Sequence, residues 1–349
     1  MLVLTANAAE DPADARADVH VTAPTTKKTP DPKPVFRVQA GLDGEIFPVF
    51  ASYAAMVPAD ERRWGTIAVT VANSTDAVLH DRISVKVPGW SDEEIQIVEL
   101  PAGAAHTYVF APTFLDRLYK NRELKAATAV VTATDGAGHV VFQGTAPVRL
   151  RAAQDMYWGD SFEYAPFIAS WVTPHDARVE HILGVAKEFM PGRRLPGYES
   201  WKNEAQQEES TRLQARAIFR ALQKQGLSYV KSSLTFGGND GVSERVRLPE
   251  DSLRDHSANC IDAAVLYASL FENLDLQPVV VLVPGHAYVG VRLARGSPKY
   301  LYIETSLTGR ATFESAVATA QRAIQRLRPN EVRLIHIDEA RSAGIYPMP

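Results

Sequence analysis

The sequence has a single cysteine in 349 residues, Cys260. It therefore has no intrachain disulfide and no Cys-x-x-Cys pair of the kind that holds structural zinc. No apolar run approaches the roughly 20 residues that a membrane-spanning helix needs, so we predict no membrane span. Positive charge is not in excess either, because 37 Lys and Arg residues oppose 41 Asp and Glu residues. With this balance we predict no nucleic-acid partner.

The length and composition predict two domains after an N-terminal tail. The hydrophobic content of 46% is sufficient for two cores. Residues 1–34 are rich in Ala, Asp, Thr, Lys and Pro, and we predict that they are disordered. The small-x-small pattern over 2–8 resembles a secretory cleavage site, although it is short and lacks a basic region. The tail is either the remnant of a signal peptide, which implies an exported or periplasmic protein, or the loose end of a cytoplasmic one.

Residues 35–151 have the pattern of short strands separated by turns. The segment Asp135–Gly138 is a hairpin signal between two of them. Seven strands in this length predict an antiparallel β-sandwich of immunoglobulin-like (Ig-like) type. No nucleophile with partners is found here, and we expect the sandwich to dock or position a partner protein. The candidate strands are 36–40, 66–71, 78–87, 94–98, 106–111, 127–134 and 139–148.

Residues 152–349 mix helical and strand patterns, which predicts an α+β domain. The aromatic segment 156–171 is expected to pack between the two domains. The acidic stretch 206–209 lacks the oxygen spacing and turn glycine of a calcium loop, so we interpret it as solvated. The predicted helices are 179–190, 211–225, 260–273 and 313–327. The predicted strands are 279–283, 286–293, 300–304 and 332–337.

Cys260 lies at the predicted start of a helix. Asn259 can act as the N-cap residue, and Asp262 three positions later completes a variant of the capping box. The following residues are apolar nearly all round, which is typical of a helix buried inside a domain. Exposed N–H groups and the helix dipole favour an anion at this end, so the sequence predicts an available thiolate near neutral pH.

A histidine and a glutamate follow on two strands of one predicted hairpin. If the hairpin turns about Arg295, His286 and Glu304 are cross-strand partners on one polar face, with Cβ atoms roughly 5 Å apart. An imidazole held in this way can accept the thiol proton and later protonate a leaving amine. The carboxylate would fix the tautomer of the ring and stabilise the imidazolium.

These residues resemble the transglutaminase-like superfamily of papain-like cysteine enzymes. The resemblance implies that Cys260 is the nucleophile, His286 the base and Glu304 the orienting acid, in a papain-related catalytic domain of α+β class. The chain departs from the family pattern at Ala258, which is usually Gly, at Tyr288, which is often Trp, and at Glu304, which is more often Asp. The resemblance is strong over about 60 residues, and it is carried by 258–262, 284–288 and 303–306.

The predicted activity is cysteine-dependent acyl transfer from amide bonds of protein or peptide substrates, with hydrolysis favoured. A calcium-dependent cross-linking enzyme would need an oxygen-rich metal loop, and no such spacing is present. Two alternatives remain open: a protein-glutamine transferase, and a non-catalytic peptide-binding or structural module with a degenerate triad. No cofactor is predicted, although His256 and Cys260 are spaced as two ligands on one helix face could be.

The transition state of such a reaction needs hydrogen-bond donors for an oxyanion. The backbone N–H of Cys260 is the natural first donor, because it lies at a helix N-terminus. For the second donor the sequence offers the segment Ser243–Arg247 and Tyr229 as candidates.

Overall fold

The computed structural model describes residues 33–56, 67–231 and 243–349, and these residues form an α+β protein with several sheets. The predictions for the N-terminal tail concern residues that lie almost wholly outside this part of the chain. None of the helices in these ranges is long and apolar enough to cross a membrane. The helices are α1 (Pro48–Met56), α2 (Asp116–Tyr119), α3 (Ala177–Ala186), α4 (Glu204–Lys224), α5 (Pro249–Arg254), α6 (Cys260–Asn273), α7 (Phe313–Gln325) and α8 (Ile337–Ser342).

The strands of the N-terminal half are β1 (Val35–Ala40), β2 (Glu45–Ile46), β3 (Ile67–Ala72), β4 (Leu79–Lys86), β5 (Glu94–Leu100), β6 (Ala105–Phe110), β7 (Lys125–Asp135) and β8 (Val140–Leu150). The strands of the C-terminal half are β9 (Asp155–Tyr157), β10 (Ser228–Tyr229), β11 (Ser243–Arg245), β12 (Ser257–Ala258), β13 (Pro278–Val283), β14 (His286–Arg292), β15 (Tyr300–Ile303) and β16 (Arg333–His336).

The N-terminal half contains two sheets around one hydrophobic cluster. One sheet has the order β1-β3-β6, and the other has the order β2-β8-β7-β4-β5, with all pairs antiparallel except β2 with β8. Each of the seven strands expected from the sequence is present, with ends within two residues of those predicted. Alternate residues of the long strands point inward, as Val69 and Val131 do, and both sheets contribute to the cluster.

Helix α1 is an element that the sequence pattern did not predict. It belongs by sequence to the N-terminal half, but Phe47 and Val49 are buried in the hydrophobic cluster of the C-terminal half. The ring of Phe50 packs edge-on against Phe167, with ring centroids 4.9 Å apart. The aromatic segment after β8 therefore packs against α1, and its buried residues belong to the core of the C-terminal half.

Buried ion pairs also join the two halves. The Asp251 carboxylate, only 2% exposed, accepts hydrogen bonds from Arg122 and Arg254, each at 2.6 Å. The guanidinium of Arg151, at the end of the N-terminal half, is equally buried and lies 4.0 Å from the buried carboxylate of Asp155 in the C-terminal half. Breaking a buried ion pair leaves an unpaired charge inside the protein, which is strongly destabilising. These contacts therefore hold the halves in a fixed arrangement.

The C-terminal half contains a four-stranded antiparallel sheet with the order β15-β14-β13-β16. Val280 and Val289 belong to the cluster that includes α6, whereas Val279 and Val281 contact Ala320 of α7. The sheet is therefore covered on both faces. This explains the uninterrupted apolar run of β13, since neither side of that strand meets water.

Some helix ends differ from the sequence prediction. Helix α4 begins at Glu204 rather than at residue 211, because Asn203 and Gln206 form a capping box that the hydrophobic pattern does not contain. The stretch 206–209 consequently lies in the first turns of this helix. Helix α3 ends four residues early, at Ala186, where the chain tightens into a short 3₁₀ helix.

Candidate active site

Cys260 is the first residue of α6, as the sequence predicted. The side chain of Asn259 accepts a hydrogen bond from the N–H of Asp262 at 2.8 Å, and the Asp262 carboxylate accepts one from the N–H of Asn259 at 3.1 Å. The helix is buried from Ile261 to Phe271. The capping box thus fixes the first turn of a rigid helix and leaves the thiol at its positive end.

Asp262 has a second contact that sequence reasoning missed. Its Oδ1 accepts a hydrogen bond from the backbone N–H of Arg247 at 2.8 Å, which ties the segment after β11 to the first turn of α6. The side chain is 1% exposed, and this burial raises the pKa of Asp262. No sequence signal connects the two residues, because Arg247 belongs to an irregular segment.

His286 opens β14, and its imidazole contacts the Glu304 carboxylate directly. The distance from Nε2 to Oε2 is 2.8 Å. Both side chains are largely protected from solvent, with exposed fractions of 26% for His286 and 8% for Glu304. The predicted contact between these two residues is therefore confirmed.

The predicted strand register, however, is wrong by two residues. Val289 pairs with Ile303 and Arg292 with Tyr300, so the hairpin turns about Gly296 rather than about Arg295. Gly296 has a positive φ of 68°, which an L side chain adopts only with strain. In this register His286 and Glu304 are diagonal neighbours, and the longer side chain of glutamate spans the added distance.

Glu304 lies just beyond the end of β15, where it caps a short 3₁₀ helix. Its Oε1 accepts the backbone N–H of Ser306 at 3.0 Å while Oε2 faces the histidine. Burial opposes ionisation, but the hydrogen bonds from His286 and Ser306 outweigh it and lower the pKa of Glu304. The group is therefore an anion at neutral pH, with both oxygens engaged.

The thiol of Cys260 lies close enough to the His286 ring to raise its pKa. Since Nε2 is engaged by Glu304, Nδ1 is the ring nitrogen left for the thiol. The hydrogen bonds with Cys260 and then with Glu304 raise the pKa of His286 to about 10, against the opposing effect of burial. The ring also packs edge-on against Tyr288, with centroids 4.6 Å apart. This environment favours an imidazolium between two acidic groups.

The structure separates the two sequence candidates for the second oxyanion donor. The segment Ser243–Arg247 pairs with β9 through β11, and the N–H of Arg247 is already bonded to Asp262. Tyr229 instead lies on β10 opposite Ala258, two residues before the nucleophile. Of the two candidates, Tyr229 is the one whose pKa responds to the charge of Cys260.

His256 and Cys260 do not share a helix face, because α6 begins at Cys260 and His256 precedes β12. His256 has a positive φ of 48°, and its carbonyl accepts the N–H of Ser228 at 3.0 Å. In the described ranges, no group of three or more His, Cys, Asp or Glu side chains is placed to hold a metal ion. Cys260 is engaged by the imidazole of His286 instead.

Comparison with known proteins gives no family assignment. No family model matches the chain, and no curated protein sequence matches it. Among solved structures, the chain is similar to one described as the X-ray structure of Northeast Structural Genomics Consortium target SoR45. The identity is 14% and the TM-score is 0.19, with 35% of this chain and 88% of that chain covered. A likeness at this level supports no conclusion about fold or activity.

Proposed function

We propose that this protein is a cysteine-dependent acyl-transfer enzyme that acts on amide bonds of protein or peptide substrates. The observation that carries the proposal is the set of Cys260, His286 and Glu304, in which the imidazole lies 2.8 Å from a buried carboxylate and its pKa is raised by the nearby thiol. Each member is fixed by its own element: a capped helix, a strand and a 3₁₀ turn.

The arrangement suits a double-displacement reaction. The Cys260 thiolate attacks the amide carbon, and the carbonyl π electrons move onto oxygen to form an oxyanion. As the electrons return, the C–N bond breaks, and the His286 imidazolium gives its proton to the leaving amine. A thioester on Cys260 remains. Water then gives a proton to the neutral imidazole and attacks the thioester carbon. When the C–S bond breaks, the acid leaves and the Cys260 thiolate and His286 imidazolium are restored.

Hydrolysis is favoured over transfer because the site is open to water. The side chain of His286 is 26% exposed, and Tyr229, which pairs with Ala258 two residues before Cys260, is 45% exposed. Transfer to an amine requires a surface that binds the amine and excludes water from the acyl-enzyme. The proposed activity is therefore that of a peptidase, isopeptidase or amidase.

The proposal includes a fold assignment for each half. A buried helix that carries the nucleophile at its N-terminus and packs on an antiparallel sheet that carries the base supports a transglutaminase-like, papain-related catalytic domain. Two mainly antiparallel sheets that share one core support an Ig-like sandwich before it. We propose that this sandwich positions protein substrates or a partner protein.

A substrate screen tests the activity. Peptide, isopeptide and glutamine-containing substrates are incubated with wild type and with Cys260→Ala, and both released ammonia and new chain termini are measured. We expect turnover by wild type alone, without added calcium. Adding excess primary amine separates the two reaction types, since dominance of the amine adduct would identify a transferase.

A chemical assay distinguishes an enzyme from a binding module. Iodoacetamide should alkylate Cys260 well below pH 8, because the imidazolium stabilises the thiolate. His286→Ala should slow this alkylation, whereas the matched change His139→Ala should not. A thiol that stays inert in folded wild type would refute the proposal.

A further inference from the structure

Tyr229 is held beside the nucleophile by a backbone pairing. Strands β10 and β12 are parallel, with Tyr229 opposite Ala258. The N–H of Val230 donates to the carbonyl of Ala258 at 3.0 Å, and the N–H of Ser228 donates to that of His256 at 3.0 Å. Because Ala258 precedes the helix cap directly, these bonds fix the tyrosine relative to Cys260.

Tyr229 lies against the segments that carry the nucleophile and the acid. One small cavity is bordered by Tyr229, by Ala263 in the first turn of α6, and by Thr305, which follows Glu304. Within the described residues, the Tyr229 hydroxyl has no hydrogen-bond partner, and the residue is 45% exposed. A polar group at this position is therefore free to bind a ligand atom.

The phenol of Tyr229 is protonated at neutral pH, as a hydrogen-bond donor must be. Burial, followed by the nearby negative charges of Cys260 and Glu304, raises the pKa of Tyr229 above its ordinary value. The hydroxyl therefore keeps its proton throughout the neutral range. The same charges show that the phenol and the thiol lie within electrostatic reach of each other.

We propose that the Tyr229 hydroxyl is the second donor of the oxyanion site and acts together with the backbone N–H of Cys260. This inference rests on the function proposed above. When the thiolate forms its bond to the carbonyl carbon, the oxygen that receives the π electrons accepts one hydrogen bond from each donor. The tyrosine keeps its proton throughout, so it stabilises the developing charge and takes no part in proton transfer. The N–H of Cys260 is available because the first residues of a helix have no intrahelical acceptor.

The test compares two reactions of one thiol. Acylation of Cys260 by p-nitrophenyl acetate passes through an oxyanion, whereas alkylation by iodoacetamide displaces iodide and forms none. In Tyr229→Phe we expect acylation to slow at least about tenfold, since removal of one oxyanion donor commonly costs about 10² to 10³ in rate. We expect the alkylation rate to stay within about twofold of wild type, a result that a merely structural loss at the site would not give.

Two further variants make the outcome decisive. Tyr346→Phe removes an exposed phenol from the C-terminal tail and should leave both rates unchanged. Thr305→Val removes a second hydroxyl of the cavity, one that is buried and has no hydrogen-bond partner among the described residues. The proposal is overturned if Tyr229→Phe acylates as fast as wild type, or if Thr305→Val alone slows acylation. A wild type that is not acylated at Cys260 would instead refute the enzyme assignment.

Discussion

Within the described residues, each half contains one hydrogen-bonded histidine–carboxylate pair, and the surroundings of the two pairs differ. His139 contacts Asp135 at 3.2 Å in the β7–β8 turn, with side chains 79% and 36% exposed. His286 contacts Glu304 at 2.8 Å, with side chains 26% and 8% exposed. The first pair is four residues apart in sequence, and the second is joined across two strands. Proximity of a histidine and a carboxylate alone therefore does not distinguish a reactive site from a turn.

The two pairs differ in the groups that are hydrogen-bonded to the carboxylate. Asp135 Oδ1 accepts the backbone N–H groups of Ala137 and His139 at 2.9 and 2.8 Å, so the aspartate builds the turn. Glu304 is also bonded to one backbone N–H, but its second oxygen points to an imidazole that contacts a thiol. What separates the pairs is the third group and the lower exposure of the second pair, because charge interactions become stronger as contact with water decreases.

The largest expected effect comes from removing the thiol or the imidazole of the buried site. Cys260→Ala and His286→Ala should each reduce amide turnover at least about 10³-fold, and the double variant should lose little more, because the groups act as a unit. The matched change His139→Ala should leave turnover unchanged. Rates measured with the substrate found in the screen check this. Substantial turnover in Cys260→Ala would end the nucleophile assignment.

The next effect comes from removing the charge of each carboxylate. Glu304→Gln should reduce turnover by about 10² to 10⁴, because the imidazole stays in place without its anionic partner. Asp135→Asn removes the equivalent charge in the turn and should not change turnover. Circular dichroism of both variants verifies that they fold. Equal rates in Glu304→Gln and wild type would show that the carboxylate has no part in the reaction.

A smaller effect follows from the strand register. His286 and Glu304 are diagonal neighbours, so Glu304→Asp should leave the carboxylate short of the ring by about the length of one C–C bond. We expect turnover to fall roughly 10- to 10²-fold, since misplacement by about 1 Å can have an effect of this size. The matched change Asp135→Glu should leave turnover unchanged. Full activity in Glu304→Asp would indicate direct cross-strand neighbours, in the register that the sequence predicted.

The parts of the site that the sequence predicts are those with local signals. The Asn259–Asp262 capping box and the apolar helix after it are complete within a short window, and so is the run of β13. The parity of His286 and Glu304 is likewise set by strand alternation. These features are confirmed because each depends on residues that are close in sequence.

The features that the sequence did not predict depend on distant contacts or on the geometry of one turn. Helix α1 has apolar residues on every side and begins with a proline, so it shows no helical period, and its partner Phe167 is more than a hundred residues away. The hairpin register depends on Gly296, where the positive φ and the bond from the N–H of Leu293 to the carbonyl of Lys299 set the turn. The two-residue strand β10 is too short for any pattern.

The smallest effect concerns stability and pH. The hydrogen bonds with Cys260 and Glu304 raise the pKa of His286 to about 10. A raised pKa means that the folded state binds this proton more tightly, so the stabilisation is fully present below about pH 6.5 and is lost as the pH rises towards 10. The difference in melting temperature between wild type and His286→Gln should therefore be greatest near pH 6 and shrink up to pH 10.

For His139→Gln, whose pair is exposed, we expect a difference below about 1 °C throughout, since surface pairs contribute little. Thermal melts at intervals of one pH unit measure both series, and a wild-type advantage that grows with pH would contradict the proposed imidazolium.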